Sequence, residues 1–249
     1  MNYSANLHVF ILAGGLGKRM ESSLPKVLHC ILNKPMLVHV IETAKLLHPS
    51  KIFIVVGKYR EIIETTLNEY ISLENIVFIN QPEALGTGHA LQCALPELKS
   101  LPLNDQILVL SGDVPLLKLS TMKSMVKMKN SANIMTTFYK NPKGYGRIVT
   151  ENSKFKKIVE EKDCNEMEKK IQIVNAGIYS FNVSILCNNL PKINNHNAQE
   201  EYYLTDIFEI IKNDENITIG LVQLPTHKNI ELTGINTKQQ LEELENKLK

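Results

Sequence analysis

The chain of 249 residues lacks most of the features that would send it toward a specialised class. It has no tryptophan and only four cysteines. Cys30, Cys93, Cys164 and Cys187 are widely spaced, with no Cys-x-x-Cys pair and no cluster of histidines, so no zinc-binding spacing is present. Unpaired, mostly buried thiols in a cytoplasmic protein are the expectation. No apolar run approaches the length that spans a bilayer, and no basic, apolar, small-residue leader opens the chain. No membrane partner is therefore expected. Charge of one sign is also scarce. The 28 Lys and Arg residues against 26 Asp and Glu leave a net charge of +2, without the strongly basic face of a general nucleic-acid binder. A small anionic ligand is still compatible, because it needs only a few local cations. There is no proline- or serine-rich linker, and no internal repeat of the kind that builds a solenoid or β-helix.

What is present is concentrated in Leu7 to Lys26, LHVFILAGGLGKRMESSLPK. The apolar run predicts a buried parallel strand. Gly14, Gly15 and Gly17 then allow a sharp turn and close approach of backbone N–H groups to a ligand. Lys18, Arg19 and Lys26 follow. Strand, glycine turn, then cations is a common way to cradle phosphate. Two familiar versions do not match. The mononucleotide loop needs Ser or Thr after Gly17-Lys18, where Arg19 stands, and a glycine where Leu12 stands. The dinucleotide fingerprint needs a glycine at Met20.

Further along, apolar strands alternate with helical patterns. Strands are predicted over Lys51–Val56, Ile76–Asn80 and Ile107–Leu110. Helices are predicted over Met36–Leu47, Arg60–Tyr70, Gly88–Leu95 and Leu119–Met128. This alternation predicts an α/β fold with a doubly wound, mixed but mostly parallel sheet. Residues just after the strands then converge on one crevice. The second half is less regular. Strands are expected over Asn133–Tyr139, Gly146–Thr150, Phe155–Glu160, Ile171–Phe181 and Ile217–Leu224. Helices are expected over Val183–Asn189, Tyr203–Lys212 and Thr237–Lys249. One domain is expected over 1–249, with a nucleotide-binding lobe at 1–130 and a sugar-binding lobe plus a C-terminal helix at 131–249.

Several residues in this pattern have two readings. Asp113 follows a strand and Ser111-Gly112, and is either a metal-binding carboxylate in the crevice or a turn residue before Pro115. Gly86 and Thr87 open a helix, where Thr87 is either a ligand contact or an ordinary N-cap. Gln81 carries the donor and acceptor that a pyrimidine edge requires. Glu160 and Asn175 interrupt apolar runs, and need either a hydroxyl-rich ligand or a backbone partner. Asn236 is a helix N-cap or a second metal ligand.

Five stretches together carry a resemblance. They are Leu12-Ala13-Gly14-Gly15-x-Gly17-x-Arg19-Met20, Leu24-Pro25-Lys26-Val27-Leu28-His29, Leu85-Gly86-Thr87-Gly88-His89-Ala90, Gly144-Tyr145-Gly146-Arg147-Ile148-Val149, and Asn197-Ala198-Gln199-x-Glu201-Tyr202-Tyr203-Leu204-Thr205-Asp206. The set resembles the sugar-1-phosphate nucleotidylyltransferases, in particular the uridylyltransferase domain of the bacterial bifunctional enzyme that makes UDP-N-acetylglucosamine. The resemblance implies a Rossmann-like nucleotidyltransferase fold with UTP and N-acetylglucosamine-1-phosphate as substrates and Mg²⁺ as cofactor. It places the nucleotide on Leu12, Ala13, Gly14 and Gly15, uracil on Gln81, Gly86 and Thr87, and the ribose and metal corner at Ser111, Gly112 and Asp113. Gly146, Glu160 and Asn175 would hold the sugar. Asp113 and Asn236 would hold the metal, while Arg19 and Lys26 would meet the phosphates. Arg19, Lys26 and Asp113 are the expected catalytic set.

There are departures from that pattern. Lys18 stands where Thr is usual, adding a cation beside the triphosphate. Gly14 replaces Ala, Ala176 replaces Thr, and Glu200 replaces Gly. Because the sequence ends at Lys249, the acetyltransferase half, its acetyl-CoA site and the β-helical trimer contact are not expected. Another acceptor such as glucose-1-phosphate, or a sugar-nucleotide sensor without turnover, stays open at this point.

Overall fold

A computed structural model describes residues 6–151 and 154–248. The apolar run at the start forms strand β1 (Leu7–Leu12). Its side chains alternate between the two faces of the sheet, as the two-residue period of a strand requires. Val9 and Ile11 join one apolar cluster, and Phe10 joins the other. A strand loaded on both faces belongs at the centre of a sheet with helices on both sides.

The short hairpin β2 (Cys30–Ile31) and β3 (Lys34–Pro35) leads into helix α1 (Met36–Lys45). Next come β4 (Lys51–Val56), α2 (Arg60–Tyr70), β5 (Ile76–Asn80), α3 (Thr87–Cys93), α4 (Leu95–Lys99) and β6 (Gln106–Ser111). Helix α5 (Leu119–Val126) leads to β7 (Ala132–Phe138), β8 (Arg147–Glu151), β9 (Lys154–Val159) and β10 (Ile173–Asn182). The chain closes with α6 (Val183–Asn189), α7 (Asp206–Ile211), β11 (Ile219–Gln223) and α8 (Lys238–Leu248).

The main sheet runs β11-β7-β10-β6-β1-β4-β5, with the β8–β9 ribbon attached to β10. Strand β1 is parallel to β4 and β6, and β4 is parallel to β5. Strand β10 is antiparallel to both β6 and β7. The expected mixed, mostly parallel doubly wound sheet is what forms, and it is continuous across both halves of the sequence.

Most predicted elements are recovered within one to three residues. One difference bears on the site. The helix expected over Tyr203–Lys212 begins only at Asp206, because Tyr202 instead pairs its backbone with Leu85 and Gly88. The β2–β3 hairpin was not anticipated, since two-residue strands carry no periodicity. Pro96 stands at the N-terminal end of α4, where its missing N–H costs nothing. All four cysteines are free; Cys164 is buried, but Cys30 is exposed on the hairpin. No helix among the described residues is long and apolar enough to cross a membrane.

Candidate active site

The carboxyl ends of β1, β5 and β6 lie along one edge of the sheet and open onto a cavity of about 550 Å³. Its floor is the glycine turn. The Ala13 N–H donates to the Val55 carbonyl at 2.8 Å, which ties the turn to the neighbouring strand. Gly17 has φ +61°, and a Cβ there would lie 2.7 Å from the Lys26 Cβ. Glycine is therefore required both for the turn and for the approach of Lys26. The turn is anchored below by Met20, which is fully buried.

The opposite wall is Gln81, Gly86 and Thr87. Gln81 is buried and its Nε2 donates to the Gly86 carbonyl at 3.1 Å. Its Oε1 packs so close to Gly14 that a Cβ at position 14 would sit 2.5 Å away. Gly86 has φ +109°, and a Cβ there would lie 2.5 Å from the Tyr202 carbonyl oxygen.

A second cavity of about 380 Å³ adjoins the first. The two share Leu12, Arg19, Thr87, Ser111 and Asp113 as walls. At this shared corner the Lys26 ammonium forms an ion pair with Asp113 Oδ2 and donates to Asn236 Oδ1 at 3.0 Å. Arg19 Nη2 donates to the same Asn236 oxygen at 3.1 Å, and Ser111 Oγ donates to Asp113 Oδ1 at 2.6 Å. Asn236 arrives from 123 positions further along the chain because the Ile235 N–H donates to the Asp113 carbonyl at 3.0 Å. Ile235 is itself locked in a small apolar cluster with Ile31, Met36 and Leu244. The hairpin and the final helix thus position one side chain of the site.

Gly146, Glu160 and Asn175 line the second cavity. Asn175 is placed by an irregularity in β10, where the register with β7 shifts between Asn175 and Tyr179. Its Nδ2 donates to the Tyr179 hydroxyl at 2.7 Å, and its Oδ1 accepts from the Gly177 N–H at 3.1 Å. Such bulges redirect side chains beside functional sites. Glu160 opens onto the cavity, yet its carboxyl is enclosed. Burial pushes its pKa up, the Thr205 hydroxyl opposes this, and the carboxylates of Asp163 and Glu201 add to the rise.

Of the residues given a site role by the resemblance, all but Gly112 line one cavity or both. Gly112 turns inward instead: a Cβ there would lie 3.2 Å from Leu37 and 3.3 Å from the Leu12 carbonyl oxygen. It packs closely behind the corner. The side chain of Lys18, the additional cation expected beside the triphosphate, lies outside the described residues.

Arg147 was visible only as part of a motif. It is fully buried, pairs through Nη2 with Glu161 at 2.7 Å and donates through Nη1 to the Tyr145 carbonyl. Glu161 also accepts from the Gly144 N–H at 2.9 Å. Together they brace the turn that presents Gly146.

A family model described as Nucleotidyl transferase matches residues 8–223. The chain belongs to the nucleotidyl transferase family. This nucleotidyl transferase is 44% identical over 251 residues to a protein of Acanthamoeba polyphaga mimivirus named "Probable UDP-N-acetylglucosamine pyrophosphorylase", covering 98% of this chain and 97% of that protein. It is 40% identical over 244 residues to the bifunctional protein GlmU of Clostridium perfringens (strain SM101 / Type A), covering 96% of this chain and 52% of that one. The nucleotidyl transferase thus spans about half the length of the bifunctional relative. Among solved structures, a UDP-glucose pyrophosphorylase complexed with UDP-glucose superposes with a TM-score of 0.74 at 17% identity, over 98% of both chains. That likeness is one of fold.

The donor chemistry of the shared corner suits a hard divalent cation. Asp113 Oδ2 and Asn236 Oδ1 already converge on a single positive centre, the Lys26 ammonium. No group of three or more His, Cys, Asp or Glu forms a closed metal cage among the described residues. One carboxylate and one amide oxygen match an ion that takes the rest of its shell from water and phosphate.

Proposed function

We propose that this nucleotidyl transferase converts UTP and N-acetylglucosamine-1-phosphate to UDP-N-acetylglucosamine and pyrophosphate. One observation carries the reading: two cavities of different chemistry meet at a corner that holds two cations and a carboxylate. A nucleotide in the first and a sugar phosphate in the second would bring a nucleophilic phosphate oxygen to an α-phosphorus at that corner. The names of the mimivirus and clostridial relatives support the same substrates.

The incoming phosphate oxygen is already an anion, so the reaction needs no protein nucleophile. Catalysis is positioning and charge neutralisation. The glycine turn offers backbone N–H groups to the nucleotide. Gln81 gives its Nε2 to Gly86, which leaves its carbonyl for a base that carries an N–H donor, as uracil does. Lys26 neutralises charge at the α-phosphate, and Arg19 draws off charge on the departing pyrophosphate. Asp113 and Asn236 would hold Mg²⁺, which when bound offsets the repulsion between the two phosphate groups. Gly146, Glu160 and Asn175 receive the sugar. The sheet's continuity supports reading 1–249 as one domain, with a nucleotide lobe over 1–130 and a sugar lobe over 131–249. The cytoplasm, where UTP is made and used, is the proposed compartment.

The test is pyrophosphate release from UTP and Mg²⁺, with N-acetylglucosamine-1-phosphate and glucose-1-phosphate assayed side by side. Release with the acetylated sugar is expected. Preference for glucose-1-phosphate would keep the chemistry and overturn the acceptor. No release with either, from folded protein that binds UTP, would point to another acceptor or to sensing without turnover.

A further inference from the structure

The segment Glu201–Thr205 joins the two cavities. Glu201 lines the first and Leu204 the second. Between them the backbone is tied to the nucleobase turn at three points. The Tyr202 N–H donates to the Leu85 carbonyl at 2.8 Å, and the Gly88 N–H donates to the Tyr202 carbonyl at 2.7 Å. The Leu204 N–H donates to Thr87 Oγ1 at 3.1 Å. The contact is close enough that a Cβ on Gly86 or Gly88 would lie 2.5 or 2.8 Å from the Tyr202 carbonyl oxygen. The turn and the segment are therefore tied together along their backbones.

The next residue, Thr205, is buried, and its hydroxyl donates to Glu160 Oε1 at 2.9 Å. Glu160 Oε2 faces Gly146, whose added Cβ would lie 3.3 Å from it. Among the described residues no donor reaches Oε2, so one carboxylate oxygen is held by the protein and the other is left for a ligand. A hydrogen bond to an ionised acceptor is stronger than a neutral one and fixes the plane of the carboxylate. It also favours the charged form against burial and the nearby carboxylates of Asp163 and Glu201.

We infer that Thr205 is a positioning residue for the acceptor sugar. It sets the plane of the Glu160 carboxylate and, through Tyr202–Leu204, fixes that carboxylate relative to the nucleobase turn, so that the two subsites keep one register. This rests on the proposed reaction, because it assigns the second cavity to the sugar phosphate.

The experiment measures KM for each substrate separately in Thr205→Val, Thr205→Ser and wild type. Wild-type release of pyrophosphate from UTP and N-acetylglucosamine-1-phosphate tests the reaction itself; without it, both the activity and this inference fall. Given wild-type turnover, Thr205→Val should raise KM for the sugar phosphate about 10-fold, the loss of one hydrogen bond to a charged group. KM for UTP should change less than about 2-fold, and Thr205→Ser should restore the wild-type value. In a Glu160→Ala background, Thr205→Val should add nothing further to the sugar-phosphate KM, because the shared partner is gone. If Thr205→Val does not fold, Thr205→Ala reads the same split. An unchanged sugar-phosphate KM would overturn the inference. So would an equal rise for both substrates, or full additivity with Glu160→Ala.

Discussion

The two adjoining cavities are built by opposite means. The first is made from main chain: glycine turns at the ends of parallel strands, backed by Lys26 and Arg19. The second is made largely from side chains on and beside antiparallel strands: Asn175 and Tyr179 on β10, Glu160 just after β9, and Thr205 just before α7. The difference matches the ligands proposed for each. A triphosphate is satisfied by N–H dipoles and positive charge at strand and helix ends. A sugar needs oriented acceptors and donors held at fixed angles, which packed side chains supply. Where the two constructions meet, Lys26, Asp113 and Asn236 form the one corner that must serve both.

Substitutions on each side separate the two. The largest effect is expected at the corner. Asp113→Ala removes the proposed metal carboxylate and the partner of Lys26, and should lower turnover at least about 10³-fold at saturating substrates. Circular dichroism should show the fold intact. Wild-type turnover in that variant would remove the metal assignment. In the second cavity, Glu160→Gln keeps the shape and replaces one carboxyl oxygen by an amide nitrogen. It should raise KM for the sugar phosphate by about 10- to 100-fold with KM for UTP unchanged; a UTP effect of equal size would erase the distinction between the cavities.

The first cavity has its own probe. Gly14→Ala places a Cβ where Gln81 Oε1 now lies. Because a flexible side-chain end gives way more easily than backbone, the cost should be about 1 kcal/mol, read as about a 5-fold rise in KM for UTP. KM for the sugar phosphate should stay constant.

The smallest effect is on stability, beside the second cavity. The pKa of half-buried Asp206 is pushed up to about 6 by burial, then by Glu160, Glu209 and Asp163. Its place at the start of α7 favours the carboxylate, but burial and the three neighbours outweigh the helix dipole. Because the folded pKa is raised above the unfolded one, the protonated group's contribution is complete below the ordinary carboxylate range. It is lost as pH rises through about 6. Asp206→Asn should therefore raise Tm above pH 6 and leave it unchanged near pH 3. Allowing for solvent screening, the gain is on the order of 1 kcal/mol. A gain of the same size at pH 3 would show that titration is not its source.

Much of the first cavity was legible in the sequence, because its parts are local. A strand, a glycine turn and the cations that follow sit within one stretch, Leu7 to Lys26. Gln81, Gly86–Thr87 and Ser111–Asp113 each follow a recognisable apolar strand or open a helix. Less of the second cavity could be read in this way. Glu160 and Asn175 stood out only as polar breaks in apolar runs. The register shift that turns Asn175, and the Arg147–Glu161 brace under the Gly144–Gly146 turn, have no periodic signature. Gly112 differs from its neighbours: they line the cavities, while the space where its Cβ would stand is taken from behind by Leu37 and Val27.

The amino-acid order alone determined the α/β class, the strand ends and the glycine turns, since these follow from hydrophobic period and from backbone freedom within a few residues. The tertiary structure decided which distant residues meet. Asn236 reaches Asp113 through Ile235 and the docked C-terminal helix. Tyr203, Leu204 and Thr205 stay out of helix α7 because the Tyr202 carbonyl just before them is already claimed by the Gly88 N–H. Thr205 then falls beside Glu160. In the first two cases a backbone group is satisfied by a partner far away in sequence, and no local pattern encodes that choice.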